Sequence, residues 1–74
     1  MSRWPILSGK RIIKLLEKLG YREVRQVGSH IRLRCEGRRS VTVPDYPAIG
    51  RGLLRKILRD AELSSADFEK LLKL

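Results

Sequence analysis

The run His30-Ile31-Arg32-Leu33-Arg34-Cys35 decides the fold, because apolar and polar residues alternate in it with a period of two. Such alternation is typical of a β-strand that buries one face and exposes the other. The apolar members are predicted to face the core, where Cys35 acts as a small hydrophobe rather than as a nucleophile. The polar members, His30, Arg32 and Arg34, must then share the opposite face.

Two more β-prone segments flank this run, at residues 21–27 and 40–43. Residues 28–29 and 36–39 carry glycine and polar side chains that are typical of tight turns. Pro44 stops the last segment, since proline cannot donate a ladder hydrogen bond. Three strands joined by such short connections predict an antiparallel meander.

A three-stranded sheet of this size buries one face under helices and leaves the other face in solvent. The exposed face is therefore the first place to look for a functional site. On the third strand, Ser40 and Thr42 are expected to point outward. On the first strand, Val24 is expected to face the core and Arg25 the open face.

Three amphipathic helices complete the pattern. Apolar residues recur at helical spacing over residues 9–19 and 50–61, and a capping box at residues 64–67 begins a third helix. Ser8 is a suitable N-cap of the first helix, and Gly20 stands where a left-handed C-terminal residue is needed. The sequence thus predicts an α+β fold in the order α-β-β-β-α-α, with the helices on one face of the sheet.

The length of 74 residues predicts one domain, residues 1–74, that buries only ~60% of the surface of the unfolded chain. Residues 1–7 are expected to form a loose N-terminal segment.

One Cys and one His cannot form an intrachain disulfide or a multi-histidine metal site. No metal or other cofactor is expected. No apolar stretch suits a membrane span or a signal peptide, so a cytoplasmic protein is expected.

The charge is strongly positive and unevenly distributed. Lys and Arg number 17 against 8 Asp and Glu, which gives a formal net charge of +9. Residues 8–43 carry most of this excess, while residues 60–74 are net acidic. A basic surface attracts polyanions, because neutralising phosphates releases their condensed counterions. RNA and DNA are the leading partners, although a merely solubilising surface has the same composition.

Five segments of the chain together resemble one protein family. They are Ser8-Gly9-Lys10, Leu16-Glu17-Lys18-Leu19-Gly20-Tyr21, Arg25-Gln26-Val27-Gly28-Ser29-His30, Thr42-Val43-Pro44 and Leu54-Arg55-Lys56-Ile57-Leu58. In this order they look like the HicA (YcfA-like) mRNA interferase toxins, and the resemblance covers residues 8–72. Gly28-Ser29-His30 is its most specific element.

The resemblance implies a fold, an activity and partners. It implies a fold similar to the double-stranded-RNA-binding domain, cleavage of mRNA through a histidine in the Gly-Ser-His motif, and neutralisation by an acidic HicB-like antitoxin protein. Carried over to this sequence, the catalytic histidine is His30. Neither a membrane nor a small-molecule cofactor is implied.

The chemistry of a metal-free ribonuclease agrees with these residue types. It needs a base for the ribose 2′-hydroxyl and donors for the charge that develops on phosphate oxygens. Histidine titrates near neutral pH and suits the base. Gly28 would let the backbone approach a phosphate closely, and Ser29 adds a short donor. The expected RNA-binding residues are Ser29, Gly28, Arg25, Arg32, Arg34 and Lys10.

One departure from the family pattern leaves the general acid open. Many relatives carry a second histidine after the Val-Pro stop, whereas Asp45 and Tyr46 follow here. Water, Tyr46 or protonated His30 could protonate the leaving oxygen. Two other functions also remain: a non-catalytic RNA-binding module, and an interaction module whose basic face meets an acidic antitoxin.

Overall fold

A computed structural model describes residues 4–73 of the chain. Its helices and strands are α1 (Gly9–Glu17), β1 (Arg22–Val27), β2 (His30–Arg34), β3 (Val41–Pro44), α2 (Arg51–Asp60) and α3 (Ser65–Lys73). The predicted α+β class and the order α-β-β-β-α-α are confirmed. In the described residues no helix has the length and apolar character needed to span a membrane.

Helix α1 begins and ends where the sequence predicts its caps. The Ser8 hydroxyl accepts a hydrogen bond from the Arg11 N–H at 3.1 Å, which satisfies one of the free donors of the first turn. Gly20 has φ +106°, a conformation that glycine adopts without strain. The N–H groups of Gly20 and Tyr21 donate back to the carbonyls of Glu17 and Leu16, as in a Schellman motif.

The sheet is antiparallel throughout, with β2 between β1 and β3. Ile31 pairs with Val43 and Leu33 pairs with Val41, and all four side chains lie in the core. The residues between them on β2 are exposed, so the predicted alternation of this strand is confirmed. The inner face packs under the helices, and the outer face is open.

Strand β1 differs from the prediction. Val24 was expected in the core, but it is 42% exposed, and every residue of β1 is exposed. The register with β2 shifts between Glu23 and Arg25, so that Val24 is an extra residue with no partner. Such a bulge breaks the alternation of faces, and the period-two rule therefore fails at this position.

The hairpin between β2 and β3 is fixed by contacts outside the sheet. Tyr21 is buried and its hydroxyl donates to the Arg39 carbonyl at 2.7 Å. Burial raises the pKa of this phenol, and the neighbouring Cys35 thiol raises it further. Cys35 itself is half-buried and packs against the core, in agreement with its predicted structural role. Arg38 donates from Nη1 to the Ala61 carbonyl at the C-terminal end of α2.

The N-terminal segment is packed where the structure describes it. Trp4 makes an edge-on contact with the buried Phe68 of α3, with ring centroids 5.0 Å apart, and Leu7 forms a β-bridge with Ile49. The expected loose segment therefore does not extend to Trp4 and Leu7, since both bury apolar surface. The rest of that expectation concerns residues 1–3, which lie outside the described part of the chain.

Helix α3 starts with the predicted capping box. The Ser64 hydroxyl accepts from the Asp67 N–H at 3.1 Å, and the Asp67 carboxylate accepts from the Ser64 N–H at 3.3 Å. These hydrogen bonds lower the pKa of the Asp67 carboxyl, with the backbone N–H of Ser64 as the main cause. The charged form of Asp67 is therefore the form that caps the helix.

The first turn of α1 lies against the end of β3 without space for a side chain. A methyl group on Gly9 would overlap the carbonyl oxygen of Pro44 and would lie 3.3 Å from Cα of Asp45. The Gly9 N–H also donates to the Tyr46 carbonyl at 2.9 Å. Glycine at this position is what allows the helix to approach the strand so closely.

We predict opposite effects for two glycine substitutions in first helical turns. Gly9→Ala should lower the free energy of unfolding by ~1–3 kcal/mol, because the rigid Pro44 carbonyl must move. Gly52→Ala is the matched control: it has nothing within 4 Å and should raise stability by up to ~1 kcal/mol. Urea unfolding of the three proteins measures both changes. Equal stability of the Gly9 and Gly52 variants would contradict the close approach.

Candidate active site

The open face of the sheet carries three cross-strand rows of side chains. Residues directly opposite each other in an antiparallel pair lie on the same face. The rows are Arg22 with Arg34, Arg25 with Arg32 and Thr42, and Val27 with His30 and Pro44. The open face therefore carries four guanidiniums and one imidazole, and Arg25 and Arg32 are in the row next to His30. No ion pair joins these arginines to a carboxylate within residues 4–73.

His30 lies in a shallow hollow of about 240 Å³. The hollow is open to solvent, and its lining comes from all three strands. The lining residues are Arg25, Val27, His30, Arg32 and Thr42. An imidazole and two guanidiniums in one hollow combine a proton acceptor with charged donors for an anion.

The Arg32 guanidinium is held by its neighbour on β3. Its Nη1 donates to the Thr42 hydroxyl at 2.9 Å, across the β2–β3 pair. A guanidinium that is already oriented loses less conformational entropy when it binds an anion. Thr42 therefore positions Arg32 in the hollow.

The loop before His30 is anchored on both sides. The Gln26 amide donates to the Gly28 carbonyl at 3.0 Å, and the Asp45 N–H donates to the Ser29 carbonyl at 2.6 Å. Gly28 has φ +59°, as the first residue of a two-residue type II′ hairpin loop requires. This turn sets the register in which Val27 faces His30.

The His30 ring is exposed, and among the described residues it has no hydrogen-bond partner. Both of its nitrogens are therefore available to a ligand. No carboxylate of residues 4–73 orients the ring, in contrast to catalytic triads. In its neutral form an imidazole accepts a hydrogen bond from a hydroxyl that is brought into the hollow.

The structure brings together some of the predicted site residues and separates others. Arg25, Arg32 and His30 share the hollow, and Arg34 lies in an adjoining one. Lys10 does not join them. It stands on α1, exposed and 4.0 Å from the Asp45 carboxylate, beside a groove between α1 and β1.

The other predicted residues lie next to the hollow rather than in its wall. Gly28 and Ser29 form the anchored turn, in which Gly28 supplies the positive φ and Ser29 is half-buried. Tyr46, a candidate general acid, is exposed but does not line the hollow. Its carbonyl accepts from Gly9 at the start of α1.

Two apolar members of the open face were missed by the sequence reasoning. Val27 is 59% exposed in the wall of the His30 hollow, and Val24 lies in the adjoining hollow. The two-residue loop at residues 28–29 was a usable signal for Val27, because it pairs the residues on either side of it. The bulge that exposes Val24 has no comparable signal.

Comparison with known families agrees with this arrangement. Residues 9–63 match the family model described as the HicA toxin of bacterial toxin–antitoxin. The chain belongs to the HicA toxin family. The match includes the three strands and both helices packed on them, and the resemblance inferred from the sequence motifs is confirmed. No curated protein and no solved structure matches the chain significantly.

Membership in the HicA family assigns a toxin role within a toxin–antitoxin system and implies a cognate antitoxin. The polar groups that line the two hollows of this HicA chain are imidazole, guanidinium and hydroxyl groups. Among the described residues, no group of three or more His, Cys, Asp or Glu side chains could hold a metal ion.

We predict that the open face binds single-stranded RNA with a strong salt dependence. The logarithm of affinity should fall linearly with the logarithm of salt concentration, by ~0.7 for each phosphate neutralised. Joint replacement Arg32→Ala and Arg34→Ala should reduce this slope by about 1.4. Lys70→Ala with Lys73→Ala on α3 removes the same charge and should leave the slope unchanged. Equal salt slopes in both double variants would show that RNA binds outside the open face.

Proposed function

We propose that this HicA-family protein is an endoribonuclease that cleaves mRNA without a metal ion, with His30 as general base. Family membership supports a ribonuclease toxin in general terms. The observation that carries the proposal is the single hollow shared by His30, Arg25 and Arg32. It combines the base and the phosphate clamp that RNA cleavage by the 2′-hydroxyl needs.

The reaction proceeds by internal transfer at the phosphodiester. A nitrogen of His30 takes the proton of the ribose 2′-hydroxyl, and the 2′-oxygen attacks the adjacent phosphorus. Arg25 and Arg32 donate to the nonbridging oxygens, where negative charge accumulates. The bond from phosphorus to the 5′-oxygen then breaks, which leaves a 2′,3′-cyclic phosphate and a 5′-hydroxyl.

The leaving 5′-oxygen needs a proton, which three groups were expected to supply: Tyr46, protonated His30 or water. Tyr46 does not line the hollow, which disfavours it as the acid. The imidazolium of His30, formed when it takes the 2′-proton, can return that proton to the leaving oxygen, or water can supply one. A single-base mechanism of this kind needs no second histidine, in keeping with Asp45 and Tyr46 after Pro44.

A non-catalytic RNA-binding module is the second candidate function. The observation in its favour is the His30 ring itself, because no described residue orients it by a hydrogen bond. Binding requires only the arginines of the open face, whereas cleavage requires the imidazole as well. The two functions therefore respond differently to the loss of His30.

We predict that His30→Ala abolishes RNA cleavage, with a loss of at least ~100-fold, because the general base is removed. The melting temperature and the affinity for uncleavable 2′-O-methyl RNA should stay near those of the wild type, since the side chain is exposed. The measurement is cleavage of a labelled mRNA fragment. Undiminished cleavage by the variant contradicts the role of His30.

The same assay in excess EDTA tests the metal-free mechanism. Wild-type cleavage should be unchanged, because the proposed steps use only imidazole and guanidinium groups. Loss of cleavage that added Mg²⁺ restores would show that a metal takes part. RNA binding without cleavage under all conditions would favour the non-catalytic module.

We further propose that an acidic, HicB-like antitoxin neutralises the protein by covering the open face. No described segment of the chain lies over this face, which is therefore accessible to a partner. Carboxylates of that partner would pair with the same guanidiniums that bind phosphate. This contact would bury His30 and exclude RNA at the same time.

Antitoxin binding and RNA binding should therefore be competitive. Arg25→Ala with Arg32→Ala should weaken both, because the two ligands share these cations, whereas Lys70→Ala with Lys73→Ala should weaken neither. Competition is measured by displacement of labelled 2′-O-methyl RNA with the cognate antitoxin. Formation of a ternary complex, with the antitoxin over the acidic stretch 60–69 and His30 exposed, would contradict occlusion.

A further inference from the structure

A second hollow adjoins the one that holds His30. Its volume is about 480 Å³, and it is lined by Val24, Arg25, Arg32, Arg34 and Ser40. Arg25 and Arg32 line both hollows and form the boundary between them. We propose that this second hollow is a subsite for the nucleotide next to the scissile phosphate. The inference rests on the proposed ribonuclease function.

The β1 bulge builds this subsite. Between Glu23 and Arg25 the register with β2 shifts by one residue, and Val24 thereby joins the open face. Glu23, which pairs with Leu33, remains on the helix side, beside the groove between α1 and β1. The bulge thus adds an apolar side chain to the open face and keeps the carboxylate of β1 away from it.

The lining of the second hollow matches the chemistry of a nucleotide. Its three guanidiniums can hold phosphate oxygens, and none of them forms an ion pair within the described residues. Val24, 42% exposed, offers an apolar contact for a ribose or a base. The Ser40 hydroxyl can donate to or accept from the sugar or the base edge.

The spacing along β2 matches a single strand of RNA. His30, Arg32 and Arg34 are successive outward residues, so that each lies roughly 6.8 Å from the next. Consecutive phosphates of an extended single strand are separated by a similar distance. With the scissile phosphate between His30 and Arg32, the neighbouring phosphate lies between Arg32 and Arg34, where the Arg34 guanidinium can donate to it. The substrate class that follows is single-stranded RNA with a phosphate adjacent to the cleaved one.

A chemical double-mutant cycle tests the contact between Arg34 and the phosphate next to the scissile one. The substrate is a 2′-O-methyl RNA octamer of randomised sequence with one unmodified ribose, so that only one linkage can be cleaved. In two further octamers, the phosphate on the 5′ side or on the 3′ side of that linkage is replaced by a neutral methylphosphonate. The value of kcat/KM is measured for wild type, Arg34→Ala, Val24→Glu, Lys73→Ala and His30→Ala.

In the wild type, one of the two neutral linkages should lower kcat/KM by about 10- to 100-fold, mainly through KM, because a charged hydrogen bond to phosphate is lost. Arg34→Ala should make the enzyme insensitive to that replacement. Val24→Glu should lower kcat/KM for the fully charged octamer by placing a carboxylate beside the phosphate. Lys73→Ala, on α3, should retain the full wild-type penalty.

The failures of the two proposals are distinguishable. If neither neutral linkage affects the wild type, or if Arg34→Ala keeps the whole penalty, the subsite is wrong, while cleavage that depends on His30 still supports the ribonuclease. If the wild type does not cleave the octamer, or if His30→Ala cleaves it equally well, the ribonuclease proposal fails and the subsite falls with it.

Discussion

The fold depends on burying the apolar face of a three-stranded sheet under the apolar faces of the helices. Ile31 and Leu33 on β2, with Val41 and Val43 on β3, form an inner face that α1 and α2 cover. The close approach of Gly9 to the Pro44 carbonyl brings α1 down onto the end of β3. No described helix covers the other face of the sheet, and its β2 residues are exposed to solvent.

The open face takes its chemistry from this constraint. Alternation on β2 sends every second residue outward, and those residues are His30, Arg32 and Arg34. Two hydrogen bonds anchor the loop between β1 and β2, one from Gln26 to Gly28 and one from Asp45 to Ser29. They also fix the position at which β2 begins, which is His30. The site is therefore a direct product of the sheet register, and a surface of several like charges gives it long-range attraction for a polyanion.

The arginines of the open face also have a structural consequence. β1 is an edge strand with all six residues exposed, and exposed edges invite pairing with other chains. Arg22, Arg25 and the bulge at Val24 oppose such pairing by charge and by twist. Of these, Val24 and Arg25 also line the second hollow, so the same two residues meet both a folding requirement and a binding requirement.

The sequence by itself determined the features that rest on local rules. These are the caps at Ser8, Gly20 and Ser64, the α-β-β-β-α-α order, the faces of β2 and the family to which the Gly-Ser-His motif belongs. Each follows from backbone geometry or side-chain periodicity within a few residues. Arg25, Arg32 and His30 were for this reason correctly expected on one face.

Only the tertiary structure decided the exposure of Val24, the separation of Lys10 from the open face and the packing of Trp4 against Phe68. Each of these depends on elements that are distant in the sequence. The β1 register is set by its pairing with β2, the position of Lys10 by the docking of α1 on β3, and that of Trp4 by a helix more than sixty residues away. Local periodicity carries no information about such contacts, because they arise only when the core closes.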